Sequence, residues 1–296
     1  MPVKALQGLY VNYVTEGNGP PVILVHGVGG SLHHWDYLLP ELVAEKYATY
    51  ALDLLGHGES AKPANQASGY HIDAIYAHLA NWISRLDLHT APILVGHAMG
   101  AYLALIYAMR NPGKVRGMVL VSPYYTPSQL SLLLRFPILQ PEFCTKVLTM
   151  APRWALSSVF SFGQRGEVFS KGVRERMVDD LKRSDPNVIT FAKTTHDLTP
   201  HLKRIRPRTI VIWGEQDHYF HSNQYPTLVD TIPNATGTSL PGSHNLHLTN
   251  FRLFNNQVLR FLDQLSGGLS PVTENSPSLK TTPFPLSPQL TQSEQM

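Results

Sequence analysis

The chain is poor in the features that assign function quickly. It has 296 residues and a single cysteine, Cys144. That excludes an internal disulfide and any cysteine-based metal spacing. The excess of charge is small, +3 from 24 basic and 21 acidic side chains, which argues against a nucleic-acid partner. No apolar run is long enough to cross a bilayer. The N-terminal MPVKALQGLYVNY lacks the apolar core of a signal peptide, so the expected location is the cytoplasm. No dinucleotide fingerprint or phosphate loop appears. HGVGG, at 26–30, is glycine-rich but has neither the Gly-x-Gly-x-x-Gly spacing nor a following Lys-Ser/Thr. No cofactor and no metal are expected.

What the chain does have is alternation. LYVNYV (9–14) has the two-residue period of a strand, and TEGNGPP after it is a turn. VILVHG, YATYALDL, APILVG (91–96), VRGMVLVS (115–122), RTIVIWG (208–214) and ATGTSL are short runs that read as further strands, most of them buried on both faces. Between them lie helical patterns: residues 35–45, IDAIYAHLANWISRL with apolar positions at Ile72, Ile75, Leu79, Ile83 and Leu86, AYLALIYAMRNP, SNQYPTLVDTI, and LTNFRLFNNQVLRFLDQL. Strands alternating with helices at this spacing predict a mostly parallel sheet covered on both faces.

Residues 123–207 break the rhythm and read as a helical cap inserted into the core. The core is then 1–122 together with 208–265. The insertion is net basic and the remainder net acidic, which either helps the two dock or reflects ordinary solvated faces. From 266 to 296 the chain is rich in Ser, Pro, Thr and Gln and is expected to be disordered.

Four segments carry chemistry: HGVGG (26–30), DLLGHGES (53–60), GHAMG (96–100), and the pair WGEQDHYF (213–220) and PGSHNLH (241–247). Each follows a strand. The third has glycine two positions either side of its centre, as a very tight strand-to-helix turn requires. In this order the segments resemble the α/β-hydrolase fold, over residues 5–265, in the group whose cap follows the sixth strand; the resemblance implies an eight-stranded sheet. It places the nucleophile, acid and histidine at Ala98, Asp217 and His244. It also implies an oxyanion hole from the backbone N–H groups of Met99 and Val28. Esterase-like chemistry is the implied activity, yet Ala98 has neither a proton to give nor a lone pair to attack with.

Three readings stay open: a serine hydrolase deprived of its nucleophile, a His–Asp dyad acting as general base without a covalent step, and a silent pocket that binds a small ligand or a protein partner. His247 is the rival to His244. His26, His57 and His97 read as scaffold, hydrogen-bonding the loops. Ser31, Ser122 and Ser243 are candidate substitutes for the nucleophile, but no sharp elbow is evident at any of them. Cys144 reads as a buried small apolar residue. The cap supplies Leu132, Leu133, Leu134, Phe136, Ile138, Leu139, Phe143, Trp154, Phe160 and Phe162. Some of these would form its own core and others a pocket for an apolar acyl or alkyl moiety. A less favoured alternative sets LSLLLRFPILQP against a membrane surface, with Arg135 and Lys146 at lipid headgroups.

Overall fold

The computed structural model describes residues 3–6, 9–63, 70–131, 135–136, 139–162 and 169–267. Of the stretch 266–296 expected to be disordered, Ser266 ends the C-terminal helix and Gly267 caps it, and residues from 268 on lie outside the described residues.

The short apolar runs form the strands β1 (Val3–Leu6), β2 (Leu9–Glu16), β3 (Pro21–Val25), β4 (Ala48–Leu52), β5 (Ile93–His97), β6 (Gly117–Val121), β7 (Arg208–Gly214) and β8 (Ala235–Leu240). Their spatial order is β1-β2-β4-β3-β5-β6-β7-β8. Strands β2 to β8 form one continuous ladder, and β1 adds to its edge as the antiparallel partner of β2. From β4 across to β8 every neighbouring pair is parallel.

The lack of polar alternation in the central strands has a direct cause. Ile23 and Val25 of β3, Leu94 of β5, and Met118 and Leu120 of β6 point into one core. Val22, Leu24, Ile93, Val95, Val119 and Val121 point into the other. Both faces are covered, so both must be apolar. Helices α2 (Ile72–Ser84) and α3 (Met99–Arg110) cover the first face. Helix α1 (Leu39–Ala44) and the C-terminal helix Phe251–Ser266 cover the second. The latter buries Phe254, Val258, Phe261, Leu262 and Leu265, a stripe at helical spacing. Each such side chain contributes about 1.5–3 kcal/mol.

Three expected helices are each divided in two. Residues 35–45 give a 3-10 turn, Leu32–Trp35, and then α1 with Pro40 in its first turn. Residues 222–232 give Ser222–Gln224 and Tyr225–Thr231, with Pro226 at the second start. Proline has no N–H to continue a preceding helix but fits a first turn. The last pattern breaks at Asn250, between Leu246–Thr249 and Phe251–Ser266.

Between β6 and β7 the described residues form the helical pieces Pro127–Gln129, Pro141–Met150, Arg153–Phe162, Lys171–Arg183, Pro186–Thr194 and Thr199–Arg204, with a single antiparallel bridge from Leu130 to Phe220. This excursion lies over the carboxyl ends of the strands. It is tied down by Tyr70 Oη donating to Asp185 Oδ2 at 2.9 Å and by the N–H of Asp185 donating to the Gly56 carbonyl at 2.8 Å. Arg176 pairs with Asp36, and Arg183 with Glu59, across the same junction. The opposed charges therefore do meet, but at partly exposed pairs whose individual worth is about 0–1 kcal/mol.

Candidate functional site

Because β3 to β8 run parallel, the loops after β3, β5, β7 and β8 emerge at one edge of the sheet and converge. Position 98 is the link between β5 and α3. Ala98 has φ 49° and ψ −110°, a left-handed backbone that non-glycine residues rarely adopt. The frame around it imposes this conformation. The Ala98 N–H donates to the Val121 carbonyl at 3.0 Å, and its own carbonyl accepts from Ala101, Tyr102 and Tyr124 at 3.1, 3.2 and 3.3 Å. The flanking glycines are required by contact. A Cβ on Gly96 would lie 2.6 Å from the Ala101 nitrogen, and one on Gly100 would lie 2.1 Å from the Val25 carbonyl oxygen.

Asp217, on the loop after β7, has a wholly buried carboxylate. Its Oδ1 accepts from the N–H groups of Tyr219 and Phe220 at 2.9 and 3.1 Å. Its Oδ2 accepts from Tyr225 Oη at 2.8 Å and from His244 Nδ1 at 2.9 Å. Burial pushes the carboxyl up, but His244 and the other donors outweigh it and hold it below the ordinary carboxylate value. An ionised carboxylate only accepts, so Nδ1 carries the proton and Nε2 keeps the lone pair. The imidazole is clamped edge-on by Tyr219 and Phe220, with ring centroids 5.1 and 4.8 Å away. Tyr225 was not a candidate from sequence. It lies eight residues past Asp217 inside a helical pattern, and nothing in the spacing marks it.

Ala98, His244, Met99 and Val28 line one cavity of about 520 Å³. Met99 opens α3, so its N–H has no acceptor within the helix. Val28 sits in the turn closed by the Gly30 N–H donating to the Gly27 carbonyl at 3.2 Å. The cavity wall is mainly apolar, with Leu130, Leu148, Met177, Leu181, Val188 and Phe191 prominent. Phe136, Leu139, Phe143 and Trp154 are not among its lining, and the side chains of Phe160 and Phe162 are not described. The first four are exposed instead. The helix Pro141–Met150 turns Leu148 and Thr149 toward the cavity and leaves its aromatic side outside. Leu132, Leu133, Leu134 and Ile138 lie outside the described residues. Cys144, expected to be buried, is partly exposed.

The remaining histidines separate clearly. His26 Nδ1 donates to the Gly27 carbonyl at 2.7 Å, and its Nε2 accepts from the Leu54 N–H at 3.0 Å, joining the loops after β3 and β4. His57 Nδ1 donates to the Leu55 carbonyl at 2.9 Å, and His97 Nε2 to the His244 carbonyl at 3.2 Å. His247 packs on Trp35, away from Asp217. Asp53 joins the same scaffold, accepting from Asn12 Nδ2, Leu32 N–H and Glu59 N–H at 2.8, 2.8 and 2.9 Å.

Among the candidate substitute nucleophiles, Ser31 and Ser243 accept from the N–H groups of His33 and His244 at 3.2 and 2.6 Å. Ser122 differs from expectation. It follows β6 directly with φ 40°, an elbow of its own. It is wholly buried and does not line the cavity, so its hydroxyl is not presented to a ligand.

Among the described residues one group could hold a metal: His34, His97 and His247, whose ligand nitrogens lie within 4.8 Å of one another. Tetrahedral zinc with bonds of 2.0–2.1 Å sets its ligand atoms about 3.3 Å apart. The trio is looser than that. Burial, then neighbouring imidazoles, pushes His34 down to about 4 and His97 and His247 well below the ordinary histidine value. All three stand as packed neutral rings.

A family model described as alpha/beta hydrolase fold matches residues 20–251. Human 1-acylglycerol-3-phosphate O-acyltransferase ABHD5 is 32% identical over 116 residues, 39% of this chain and 33% of that protein. An uncharacterized protein of Mycobacterium tuberculosis strain H37Rv is 32% identical over 132 residues, 45% of this chain and 37% of that one. The matched stretches thus span only about a third of the length of these relatives. Among solved structures, an esterase from Exiguobacterium antarcticum superposes with a TM-score of 0.75 at 19% identity, covering 88% of this chain and 98% of the other. The enol-lactonase from Burkholderia xenovorans LB400 gives 0.73 at 20% identity, covering 88% and 100%. At these identities the likeness is one of fold.

Proposed function

The chain belongs to the alpha/beta hydrolase fold family, and on that premise we propose that its cavity takes a small substrate with an apolar acyl or alkyl part, and that His244 and Asp217 act there as a general-base pair without a covalent step. The observation that carries the reading is the four-donor seating of Asp217, which fixes the tautomer of His244 beside a mainly apolar cavity of about 520 Å³.

The chemistry follows from the parts. His244 Nε2 removes a proton from a water molecule seated beside the Ala98 methyl. The resulting hydroxide attacks an ester carbonyl, and the N–H groups of Met99 and Val28 receive the charge growing on its oxygen. Asp217 stabilises the imidazolium formed in between; as the tetrahedral intermediate collapses to the carboxylic acid, the ester C–O bond breaks and His244 returns its proton to the departing alcohol oxygen. General-base assistance of this kind contributes about 10²–10⁴-fold, so the activity is slow compared with a serine route. The esterase and the enol-lactonase of similar fold, and the acyltransferase similar in sequence, are in keeping with an acyl substrate.

The methyl at 98 favours a second reading: a cavity that binds an apolar ligand and turns over nothing. One comparison separates the two. The wild type, His244→Ala and Ala98→Ser are assayed on p-nitrophenyl acetate, butyrate and octanoate. The general-base reading expects His244→Ala to lower the wild-type rate about 100-fold or more, and Ala98→Ser to raise it. A wild-type rate that survives His244→Ala unchanged refutes it and leaves the binding reading.

A further inference from the structure

The helix Pro141–Met150 has two unlike faces. Leu148 and Thr149 line the cavity, and their carbonyls accept from Lys182 Nζ at 2.9 and 3.1 Å. The outer face carries Phe143, Val147 and Met150, spaced i, i+4 and i+7 and therefore in one stripe. These are 58%, 46% and 72% exposed. Phe136 and Leu139, just before the helix, are 52% and 73% exposed, and Trp154, just after it, is 73% exposed. The rings of Phe136 and Phe143 meet edge-on with centroids 6.2 Å apart, so the patch is continuous. Six of the ten large hydrophobic side chains exposed among the described residues fall within this short stretch. Isolated exposed apolar residues need no explanation, but a concentration of this size marks an interaction surface.

The charges around the patch select its occupant. Arg135 and Lys146 are exposed at its border, and Arg153 beside Trp154 is paired with Asp179. Glu142 is the one acid on this helix and stands one turn before Lys146. Lys146 flanks the stripe, where its methylene stem can lie on apolar surface while the ammonium reaches a phosphate. A second copy related by a two-fold axis would bring these cations against themselves. No helix among the described residues is long and apolar enough to cross a membrane, so lipid contact here is contact with a surface. We propose that this outer face is an interfacial docking surface, on which the aromatic and aliphatic side chains enter the headgroup–acyl boundary of an anionic bilayer. It would set the cavity, lined by the other face of the same helix, next to a store of acyl chains. The proposal concerns binding and does not depend on turnover at His244.

The tryptophans supply a local probe. The chain has four; Trp35 and Trp82 are wholly buried, Trp213 is partly buried, and Trp154 is the exposed one. The full chain is mixed with vesicles of phosphatidylcholine alone, or of phosphatidylcholine with about 30% phosphatidylglycerol, and followed by tryptophan emission and co-sedimentation. The expected result is a blue shift and pelleting with the anionic vesicles, weakened about tenfold by raised salt. Phe143→Glu combined with Met150→Glu should lose roughly tenfold or more in binding with an unchanged circular dichroism spectrum. Trp154→Phe should lose most of the blue shift yet still pellet. Absence of pelleting with the anionic vesicles, or pelleting untouched by the double substitution, overturns the proposal. So does a dimer in equilibrium sedimentation that the double substitution splits, since the occupant would then be another copy of the chain.

Discussion

Replacing Asp217 by Asn tests the central geometry with the smallest change of shape. The two backbone donors, Tyr219 and Phe220, converge on Oδ1. Neither can become an acceptor, so the amide oxygen of Asn must take that place. The amide NH₂ then occupies the site of Oδ2 and faces Tyr225 Oη and His244 Nδ1. The tyrosine hydroxyl can rotate to accept. The histidine can accept only by moving its proton to Nε2, which removes the lone pair that serves as base. Bonds to charged acceptors are worth about 1.5–3 kcal/mol and neutral ones about 0.5–1.5. Converting four of them, less the smaller burial penalty of a neutral amide, should cost about 2–4 kcal/mol. For a domain of this size that is a fall of roughly 4–16 °C in melting temperature. The rate on p-nitrophenyl butyrate should drop to the level of His244→Ala. Urea unfolding gives the first quantity and the ester assay the second. Unfolding within about 0.5 kcal/mol of wild type, together with an unchanged rate, would refute the claim that the carboxylate is ionised and sets the tautomer.

Tyr225→Phe removes one donor from the same oxygen and should cost about 1–3 kcal/mol; it should also raise the pH at which the protein unfolds in acid, because the Asp217 carboxyl then sits nearer its ordinary value. Gly100→Ala should destabilise by more than about 3 kcal/mol, since the new Cβ would stand 2.1 Å from the Val25 carbonyl oxygen and 2.7 Å from that of His26. Gly172→Ala, with nothing within 4 Å and on the helix Lys171–Arg183, should be neutral or stabilise by up to about 1 kcal/mol; equal urea midpoints for the two variants would contradict the contact argument. The buried histidines predict an unusual pH profile. Burial lowers His26 and His34 to about 4 and His57 to about 3, so below pH 6.5 the unfolded chain binds protons that the folded chain refuses. Stability is then full above 6.5 and falls as pH drops toward 4, by about 1.4 kcal/mol per pH unit for each such group. A flat urea midpoint between pH 7.5 and 5 would be inconsistent with neutral imidazoles in the interior.

Much of this was written in the chain because local rules and tertiary packing agree. The two-sided burial of β3, β5 and β6 appears in sequence as unbroken aliphatic runs. The contacts of Gly96 and Gly100 appear as the glycines of GHAMG. Asp217 and His244 were reached through the family resemblance, whose order of nucleophile, acid and histidine maps onto loops that each follow a strand. What was not legible depends on direction in space. Periodicity locates the stripe of Phe143, Val147 and Met150 but does not say whether it faces the cavity or solvent, which is why Phe136, Leu139, Phe143 and Trp154 turn out exposed instead of lining the pocket. Tyr225 belongs to the site only because the turn after Asp217 folds back on itself. The pairing of β1 with β2 rests on four residues, Val3–Leu6, too few to show a period. The left-handed φ of Ser122 has no flanking glycines in the sequence to announce it.

The backbone at position 98 is held by partners on three other segments and owes nothing to its own methyl group. It is a socket whose contour its neighbours maintain. Serine or cysteine inserted there would inherit the same exit vector into the same chamber, with the folding strain already met by the host. The chain can therefore serve as a blank scaffold on which alternative reactive groups are compared one at a time, with everything around them constant.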